Sequence, residues 1–243
     1  MNESPSTREA LLNRRVPVLD NGWIELQDLM GDDLAIVNAA RVSFLGESKG
    51  TDKDKKLLFY LLQHRHTSPF EQVEFKFRVR APLVTWWQWV RHRTWSVNAQ
   101  SGRYTPFEEN DFYVPDAWRL QSPDNKQASL GELDESLAAA FTDKLLEHYE
   151  RSYHLYREAL DAGIAREMAR IFLPGFAVYY TWVVKVDAHN LMNFLRLRMA
   201  PDAQYEIRVY AWAIYEHFFK PALPWTAEAF ERFVIPTLGP LPG

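Results

Sequence analysis

The chain has 243 residues and a formal net charge of −4, so no overall positive field draws it to nucleic acid. Because it contains no Cys, disulfides, thiolate metal sites and a cysteine nucleophile are excluded. No apolar run is long enough to span a membrane, and the polar N-terminal residues lack the apolar core of a signal peptide. We therefore expect a cytoplasmic protein that binds neither membranes nor nucleic acid.

The first predicted element is a β-hairpin, with strands at 16–19 and 23–29 on either side of Asp20-Asn21-Gly22. Asn and Gly tolerate positive φ, which favours a tight turn at this point. Asp32 or Asp33 should then cap a short helix that runs through residue 40.

An amphipathic helix is predicted at about 52–63. Apolar residues alternate with charged ones over 73–79, which predicts a half-buried strand. An aromatic helix at about 84–92 leads into a polar loop.

The second half of the chain continues with helices and one strand. Its predicted elements are a long helix at about 134–160 that Gly163 ends, a short helix that ends at Pro174, a strand at 176–186, a helix capped by Asp187 that runs through Met199, and a helix at 203–220. Strands and helices do not alternate regularly, so we predict an α+β fold with helices packed on a small, mostly antiparallel sheet in a single domain. The expected boundaries are a flexible N-terminus at 1–15, a domain at 16–235 and a Pro-rich tail at 236–243.

The densest set of polar side chains occupies 91–104, Arg-His-Arg-Thr-Trp-Ser-Val-Asn-Ala-Gln-Ser-Gly-Arg-Tyr. Three guanidinium groups close together need counter-charge, and phosphate suits them because the planar fork binds two oxygens at once. Gln88 lies about one helical turn before Arg91 and adds an amide to the same helix end. A solvated helix C-terminus also favours cations, but that alternative explains one or two residues and not a whole polar loop. Because binding residues concentrate on loops, we predict a ligand site here.

The same string carries a known signature, Arg-His-Arg, two residues, Ser, one, Asn, two, Ser, one, Arg, with seven fixed identities in the thirteen positions 91–103. It resembles the hallmark of the flavin-dependent thymidylate synthases. Further blocks at 66–71, 166–174, 190–198 and 203–207 are similar to the same family. The resemblance therefore covers about residues 22–225.

The resemblance implies a methyltransferase of dTMP biosynthesis that converts dUMP to dTMP. Members of this family take a methylene group from methylenetetrahydrofolate, and FAD reduced by NADPH delivers the hydride, which no side chain can donate. The lack of Cys agrees, because the flavin-free thymidylate synthase attacks the uracil ring with a cysteine thiolate. The family also implies a homotetramer with active sites shared between subunits, and dUMP and folate as small-molecule partners.

The resemblance assigns a role to individual residues. Arg198 would be the catalytic residue, with its cation against the uracil ring, whereas Arg196 would point to a different side of the helix and remain solvated. The residues implied for dUMP are Gln88, Arg91, Ala99, Gln100, Ser101, Gly102, Arg103, Arg170 and Arg198. The residues implied for FAD are His66, Ser68, Arg91, His92, Arg93, Asp187, His189 and Asn193.

The first flavin block has structural alternatives. Ser68 and Glu71 also fit a capping box with Pro69 at the first helical position. His64 and His66 lack a carboxylate-rich partner set, so no metal site is expected. The neighbouring tryptophans at 86, 87 and 89 are typical of a core or an interface.

Three positions depart from the family pattern. Many members carry Glu where this chain has Ala99, so only backbone contact is possible there. Asp187 and His189 stand where some relatives have Asn and Arg. Asp187 is a poor neighbour for a flavin phosphate and would instead accept from ribose hydroxyls or cap its helix. His189 and Asn193 share one helix face, which fits either a common ligand or a solvated helix start.

Two other functions fit the sequence. One is a flavin- or nucleotide-dependent transferase that keeps this scaffold and acts on a different substrate. The departure from the family pattern at Ala99 favours this alternative. The other is a single-stranded nucleic-acid-binding module that uses the Arg cluster and nearby aromatics, although the acidic net charge opposes it.

Overall fold

The computed structural model describes residues 6–109, 111–126 and 129–238. The helices are α1 (Thr7–Leu11), α2 (Asp33–Arg41), α3 (Thr51–Gln63), α4 (Leu83–Trp89), α5 (Glu135–Asp161), α6 (Arg166–Ala169), α7 (Ala188–Arg198), α8 (Tyr205–Ile214), α9 (Lys220–Ala222) and α10 (Pro224–Phe233). The strands are β1 (Arg15–Val18), β2 (Gly22–Met30), β3 (Glu74–Pro82), β4 (Ser96–Ala99), β5 (Arg119–Gln121), β6 (Ser129–Glu132) and β7 (Tyr179–Asp187).

Five strands form one antiparallel sheet in the order β1-β2-β3-β7-β4. β3 and β7 pair along their whole length, from Glu74 opposite Asp187 to Pro82 opposite Tyr179. β5 and β6 form a separate two-stranded hairpin. The sheet and the helices around it confirm the predicted α+β fold.

The main core lies between the sheet and the helices that cover it. Phe75 and Phe77 of β3 are fully buried and pack against Phe219 and Phe218 at ring-centroid distances of 6.0 and 5.7 Å. The alternation that predicted β3 thus has a direct cause, since its apolar side chains face the helix layer. A second, smaller cluster packs under α5 around Tyr149 and Tyr156.

The β1–β2 hairpin is confirmed, with Val18 opposite Gly22, but the reason given for it is wrong. Positive φ occurs at Leu19 (60°) and not at Asn21 or Gly22. Gly22 is required because a Cβ there would overlap Tyr210 Oη and come within 2.6 Å of the Val18 carbonyl oxygen. The glycine therefore serves close packing and not backbone conformation.

Aspartates cap several helices. Asp32 accepts from the backbone of Ala35 at 2.8 Å and caps α2. Asp33 is buried and reaches across to α10, where its carboxylate accepts from the backbone N–H of Trp225 at 2.7 Å and of Thr226 at 3.0 Å. Both predicted candidates are therefore caps, but of different helices.

Several boundaries differ from the prediction. α4 ends at Trp89 instead of residue 92, so Arg91-His92-Arg93 follows the helix in a turn. Residues 96–99, expected in a polar loop, form the edge strand β4 against β7. α10 and the β5–β6 hairpin had no sequence prediction, because pairing and packing with distant segments define them.

The segment expected to be a flexible N-terminus carries regular structure over residues 6–15. Ser6 and Glu9 form a capping box at α1, with the Ser6 N–H 2.8 Å from a Glu9 carboxylate oxygen. Arg8 pairs with Asp28 at 2.7 Å, and Leu11 is buried. Residues 1–5 and the end of the predicted Pro-rich tail, 239–243, lie outside the described residues. Among the described residues, no helix is both long enough and apolar enough to cross a membrane.

Candidate active site

The side chain of Arg198 is held at the end of α4. Its Nε donates to Nε2 of His92 at 3.0 Å, Nη1 donates to Oε1 of Gln88 at 3.1 Å, and Nη2 donates to the Gln88 backbone oxygen at 3.1 Å. α7 brings Arg198 here because Phe194, one turn earlier, packs on Trp89 with ring centroids 4.8 Å apart. The structure thus brings together three predicted site residues, which we call the Arg198 cluster: Gln88, His92 and Arg198.

Burial controls the charge states in the Arg198 cluster. Burial, together with the adjacent Arg198 cation, lowers the pKa of His92 to about 4, so the imidazole is neutral near pH 7. Burial and the charge of Arg91 also lower the pKa of Arg198, which nevertheless remains a cation at neutral pH. Within the described residues, no carboxylate forms an ion pair with Arg198.

The loop that follows β4 is fixed against β7 and α6. The Gln100 N–H donates to the Thr181 carbonyl at 2.8 Å, and its Oε1 accepts from the Thr181 N–H at 3.2 Å. Gly102 is buried, and a Cβ there would lie 2.6 Å from the Phe107 ring and 3.6 Å from Cδ of Arg170. The absence of a side chain at Gly102 therefore allows the loop backbone to pack against the Phe107 ring and beside Arg170.

Two exposed arginines surround Glu167 beside this loop. Arg103 Nε lies 3.1 Å from Glu167 Oε2, and Arg170 Nε donates to the Glu167 carbonyl at 3.2 Å. The Ser101 hydroxyl accepts from the Arg103 N–H at 3.3 Å. We call this group, residues 100–103 with Glu167 and Arg170, the loop cluster. Its two cations against one carboxylate leave net positive charge, which suits an anionic ligand.

A cleft of about 610 Å³ lies between α3, α7 and α10. Its polar wall contains the predicted flavin residues His189 and Asn193 together with Arg65, Thr67 and Arg196. Arg196 donates to Asn193 Oδ1 at 3.1 Å. The apolar wall is formed by Leu62, Met192, Phe230, Phe233 and Val234. The cations Arg65 and Arg196 lie on one wall, and apolar side chains form the other. This arrangement suits a flat ligand that carries phosphate.

Asp187 is used within the fold. One carboxylate oxygen accepts from the Asn190 N–H at 2.9 Å and the other from its side-chain amide at 2.7 Å. Of the two roles considered for Asp187, the structure has the helix cap.

The block at 66–71 lies next to the cleft, through Arg65 and Thr67. His66 is exposed, and its ring stacks on Tyr60 at 5.9 Å. The capping-box alternative for Ser68 is not formed, since the one-turn helix Phe70–Gln72 receives no side-chain hydrogen bond at its start.

The predicted site residues therefore fall into three groups: the Arg198 cluster, the loop cluster and the cleft. In the described parts of the chain, no hydrogen bond or ion pair joins one group to another. Arg91 and Arg93 are exposed in the turn after α4, and Ala99 lies at the end of β4 opposite Trp182.

Sequence reasoning missed some of the residues in these groups. Glu167 belongs to the block at 166–174 that is similar to the family, but it was given no role. It contacts both Arg103 and Arg170. Arg196 was expected to be solvated, yet it is half-buried and lines the cleft. Its spacing of three from Asn193 and seven from His189 is the signal for a shared helix face.

Comparison with known proteins shows the family of this chain. The model of the family described as thymidylate synthase complementing protein matches residues 25–225. The flavin-dependent thymidylate synthase of Thermus thermophilus is 50% identical over 220 residues, which cover 90% of this chain and 79% of that protein. The protein of the same name from Thermosipho africanus is 45% identical, with 89% of this chain and 93% of that protein covered.

Among solved structures, the UMP/dUMP methylase PolB from Streptomyces cacaoi, bound with 5-Br dUMP, superposes with a TM-score of 0.79. It is 36% identical in sequence, and the match covers 88% of this chain and 96% of that one. The family model covers all the predicted site residues, whereas Phe230, Phe233 and Val234 of the cleft lie beyond its last matched residue. This chain belongs to the flavin-dependent thymidylate synthase family.

Proposed function

We propose that this chain converts dUMP to dTMP, with methylenetetrahydrofolate as the carbon donor, FAD as the bound cofactor and NADPH as the reductant. The proposal rests above all on the guanidinium of Arg198, which is oriented by three hydrogen bonds and has no carboxylate partner among the described residues. Such a cation can stabilise negative charge that develops on a pyrimidine ring. Family membership supplies the reaction to which this cation belongs.

The nucleotide is held by the Arg198 cluster and the loop cluster. Arg103 and Arg170 supply exposed guanidinium groups for the phosphate, together with Arg91. Charge-assisted hydrogen bonds from guanidinium to phosphate are among the strongest in proteins. The Ser101 hydroxyl and the backbone around buried Gly102 complete the loop side.

The cleft fits FAD. The cationic side chains of Arg65 and Arg196 suit its phosphates, with the His189 ring beside them, and the apolar wall from α10 suits a flat ring. His66 and Ser68, both exposed beside Thr67, extend the same surface. When bound and reduced, FAD supplies the hydride that side chains cannot donate.

Arg198 acts by preferential stabilisation of the transition state. Activation of the pyrimidine at its ring carbon places negative charge on the ring, and a fixed cation lowers the energy of that charge more than that of the neutral ground state. The hydrogen bonds to Gln88 and His92 hold the guanidinium in place before the reaction begins. No reorganisation is then needed as the charge forms.

We further propose a homotetramer in which the Arg198 cluster of one subunit meets the loop cluster of another. In support, no hydrogen bond or ion pair joins the two clusters among the described residues, and large apolar side chains close in sequence to Arg170 are exposed, with Ile171 at 75% and Phe176 at 63%. Exposed large apolar side chains of this kind are typical of interfaces. The domain that assembles in this way spans 16–235.

Mixed subunits test the sharing of sites. Arg198→Lys and Arg103→Ala should each be inactive alone, because each removes one cluster. Co-expressed with different tags, they should recover about a quarter of the wild-type sites if clusters combine randomly across subunits of a symmetric oligomer. No recovery in purified mixed tetramers would place both clusters in one subunit.

A second candidate substrate is UMP. The structural relative from Streptomyces cacaoi is a UMP/dUMP methylase, and Ala99 removes a carboxylate that many family members present at the nucleotide loop. Parallel measurements of kcat/KM for dUMP and UMP separate the two candidates. A clear preference for UMP would make dTMP synthesis secondary.

The proposed function is tested in a cell that requires thymidine because it lacks its own synthase. Growth without thymidine on expression of this chain, and no growth with Arg198→Lys, is the expected result. The purified protein should form dTMP only when dUMP, methylenetetrahydrofolate and NADPH are all present. Failure to form dTMP under those conditions with FAD bound would contradict the proposal.

A further inference from the structure

Among the described residues, Arg198 shares its side-chain hydrogen bonds with two, His92 and Gln88. Its guanidinium has five N–H groups, of which Nε, one Nη1 and one Nη2 hydrogen are directed to His92 and Gln88. One N–H on each terminal nitrogen is left for a ligand. The bond to His92 is the only one of the three made through Nε, so it fixes the rotation of the guanidinium about its own stem.

His92 is itself held by the fold. Its backbone N–H donates to the Trp89 carbonyl oxygen at 3.0 Å, and its imidazole ring packs edge-on against the Phe194 ring, with the ring centroids 5.0 Å apart. Phe194 also contacts Trp95 at 5.0 Å. Phe194 and Arg198 lie one turn apart on α7, so the same helix face that carries the guanidinium also supports the imidazole.

The identity of the acceptor matters as much as its position. A carboxylate at this point would orient Arg198 equally well, but it would neutralise the cation that the nucleotide needs. A neutral imidazole accepts through Nε2 and keeps its proton on Nδ1. It therefore orients the guanidinium and leaves its positive charge intact.

The geometry points to His92 as a positioning residue, a neutral acceptor that orients Arg198 toward the nucleotide without cancelling its charge. This inference rests on the proposed function, in which Arg198 acts on the pyrimidine. It gives Nε2 of His92 a role within the chain, as the acceptor of the Arg198 Nε–H.

Three substitutions at His92 separate position from charge. In His92→Gln, the side-chain oxygen can reach the place of Nε2 and remains neutral. In His92→Asn, the shorter amide lies near the place of Nδ1 and does not reach Arg198. In His92→Glu, a charged acceptor reaches Arg198. All three lose the ring that packs on Phe194, so packing alone predicts similar behaviour.

The measurements are dUMP affinity by calorimetry, bound FAD per subunit by absorbance, and the single-turnover rate. We expect His92→Gln to remain within about threefold of wild type and His92→Asn to lose about tenfold in dUMP affinity and rate, as for one hydrogen bond. We expect His92→Glu to lose more dUMP affinity than His92→Asn, since it neutralises the cation. FAD content should be equal in all four proteins at saturating FAD.

The outcomes distinguish this inference from the proposed function. If Arg198→Lys, measured alongside, matches wild type while dTMP still forms, the proposed role of Arg198 fails; if wild type forms no dTMP, the proposed function itself fails. If Arg198→Lys is impaired but the Gln and Asn variants at 92 behave alike, the positioning role is wrong. Equal affinity in His92→Glu and His92→Gln would overturn the requirement for a neutral acceptor. Loss of FAD in step with loss of activity would assign His92 to the flavin alone.

Discussion

Substitution of Arg198 by Lys keeps the charge and removes the planar fork. The guanidinium makes three hydrogen bonds of 3.0 to 3.1 Å to Gln88 and His92, whereas an ammonium is one compact, strongly hydrated donor on a flexible stem. It cannot satisfy both Gln88 oxygens and His92 and still face a ligand. Loss of one preorganised donor of this type costs about 2.7–4 kcal/mol of transition-state stabilisation, or a factor of about 10²–10³ in rate. We therefore expect the turnover of Arg198→Lys to fall by about a hundredfold or more.

The assay is anaerobic single-turnover oxidation of the reduced flavin after mixing with dUMP and methylenetetrahydrofolate. FAD content should be unchanged, because Arg198 does not line the flavin cleft. Arg8→Lys is the matched control, since Arg8 lies in an exposed ion pair with Asp28 on α1 and β2. Equal rates for wild type and Arg198→Lys would refute the assignment of Arg198 as the activating cation.

Further predictions concern binding, covalent chemistry, packing and pH. Calorimetry should show dUMP binding far more tightly than deoxyuridine, because guanidinium–phosphate bonds contribute about 1.5–3 kcal/mol each; equal affinities would remove the phosphate assignment. Ser101→Ala should weaken dUMP binding and leave measurable turnover, since its hydroxyl accepts from a backbone N–H and no base is bonded to it among the described residues; complete loss of turnover with intact binding would revive covalent catalysis. Gly22→Ala should lower the free energy of unfolding by about 1–3 kcal/mol or more through overpacking, whereas Gly46→Ala, whose Cβ would meet only the Arg41 carbonyl oxygen at an ordinary 3.8 Å, should be close to neutral in urea denaturation. Because the pKa of His92 is about 4 in the folded state and about 6.5 when unfolded, the unfolded state binds more protons between these values, so stability should fall as pH drops through this window. His92→Gln should reduce that slope, and identical slopes would contradict the lowered pKa.

The parts of the fold that follow from local sequence were predictable. The alternation over 73–79 predicted β3, and Asp32, one of two candidate caps, predicted the start of α2. Each of these signals lies within a few residues of the element it defines, so no knowledge of distant contacts is needed.

The parts that depend on distant contacts were not predictable. β4 is a strand because β7, more than eighty residues later, pairs with it, and its four residues, which alternate between polar and apolar, are mostly exposed. Gly22 is fixed by Tyr210 on a distant helix, which a turn rule cannot reveal. The same limit applied to the site, where the residues were named from the family resemblance but their division into three groups required coordinates.

The function of α7 shows how one local element can serve two sites. At about 100° per residue, His189, Asn193 and Arg196 fall within about 60° of one another and face the cleft. Arg198 lies about 180° from His189 by the same arithmetic and faces Gln88. The two sites therefore share a single helix whose rotation must satisfy both. Asp187 fixes the first turn of that helix through both carboxylate oxygens, and it also ends the ladder opposite Glu74. A carboxylate at 187 is thus compatible with the flavin site proposed here, because both of its oxygens accept hydrogen bonds from Asn190 and Asp187 is not among the residues that line the cleft.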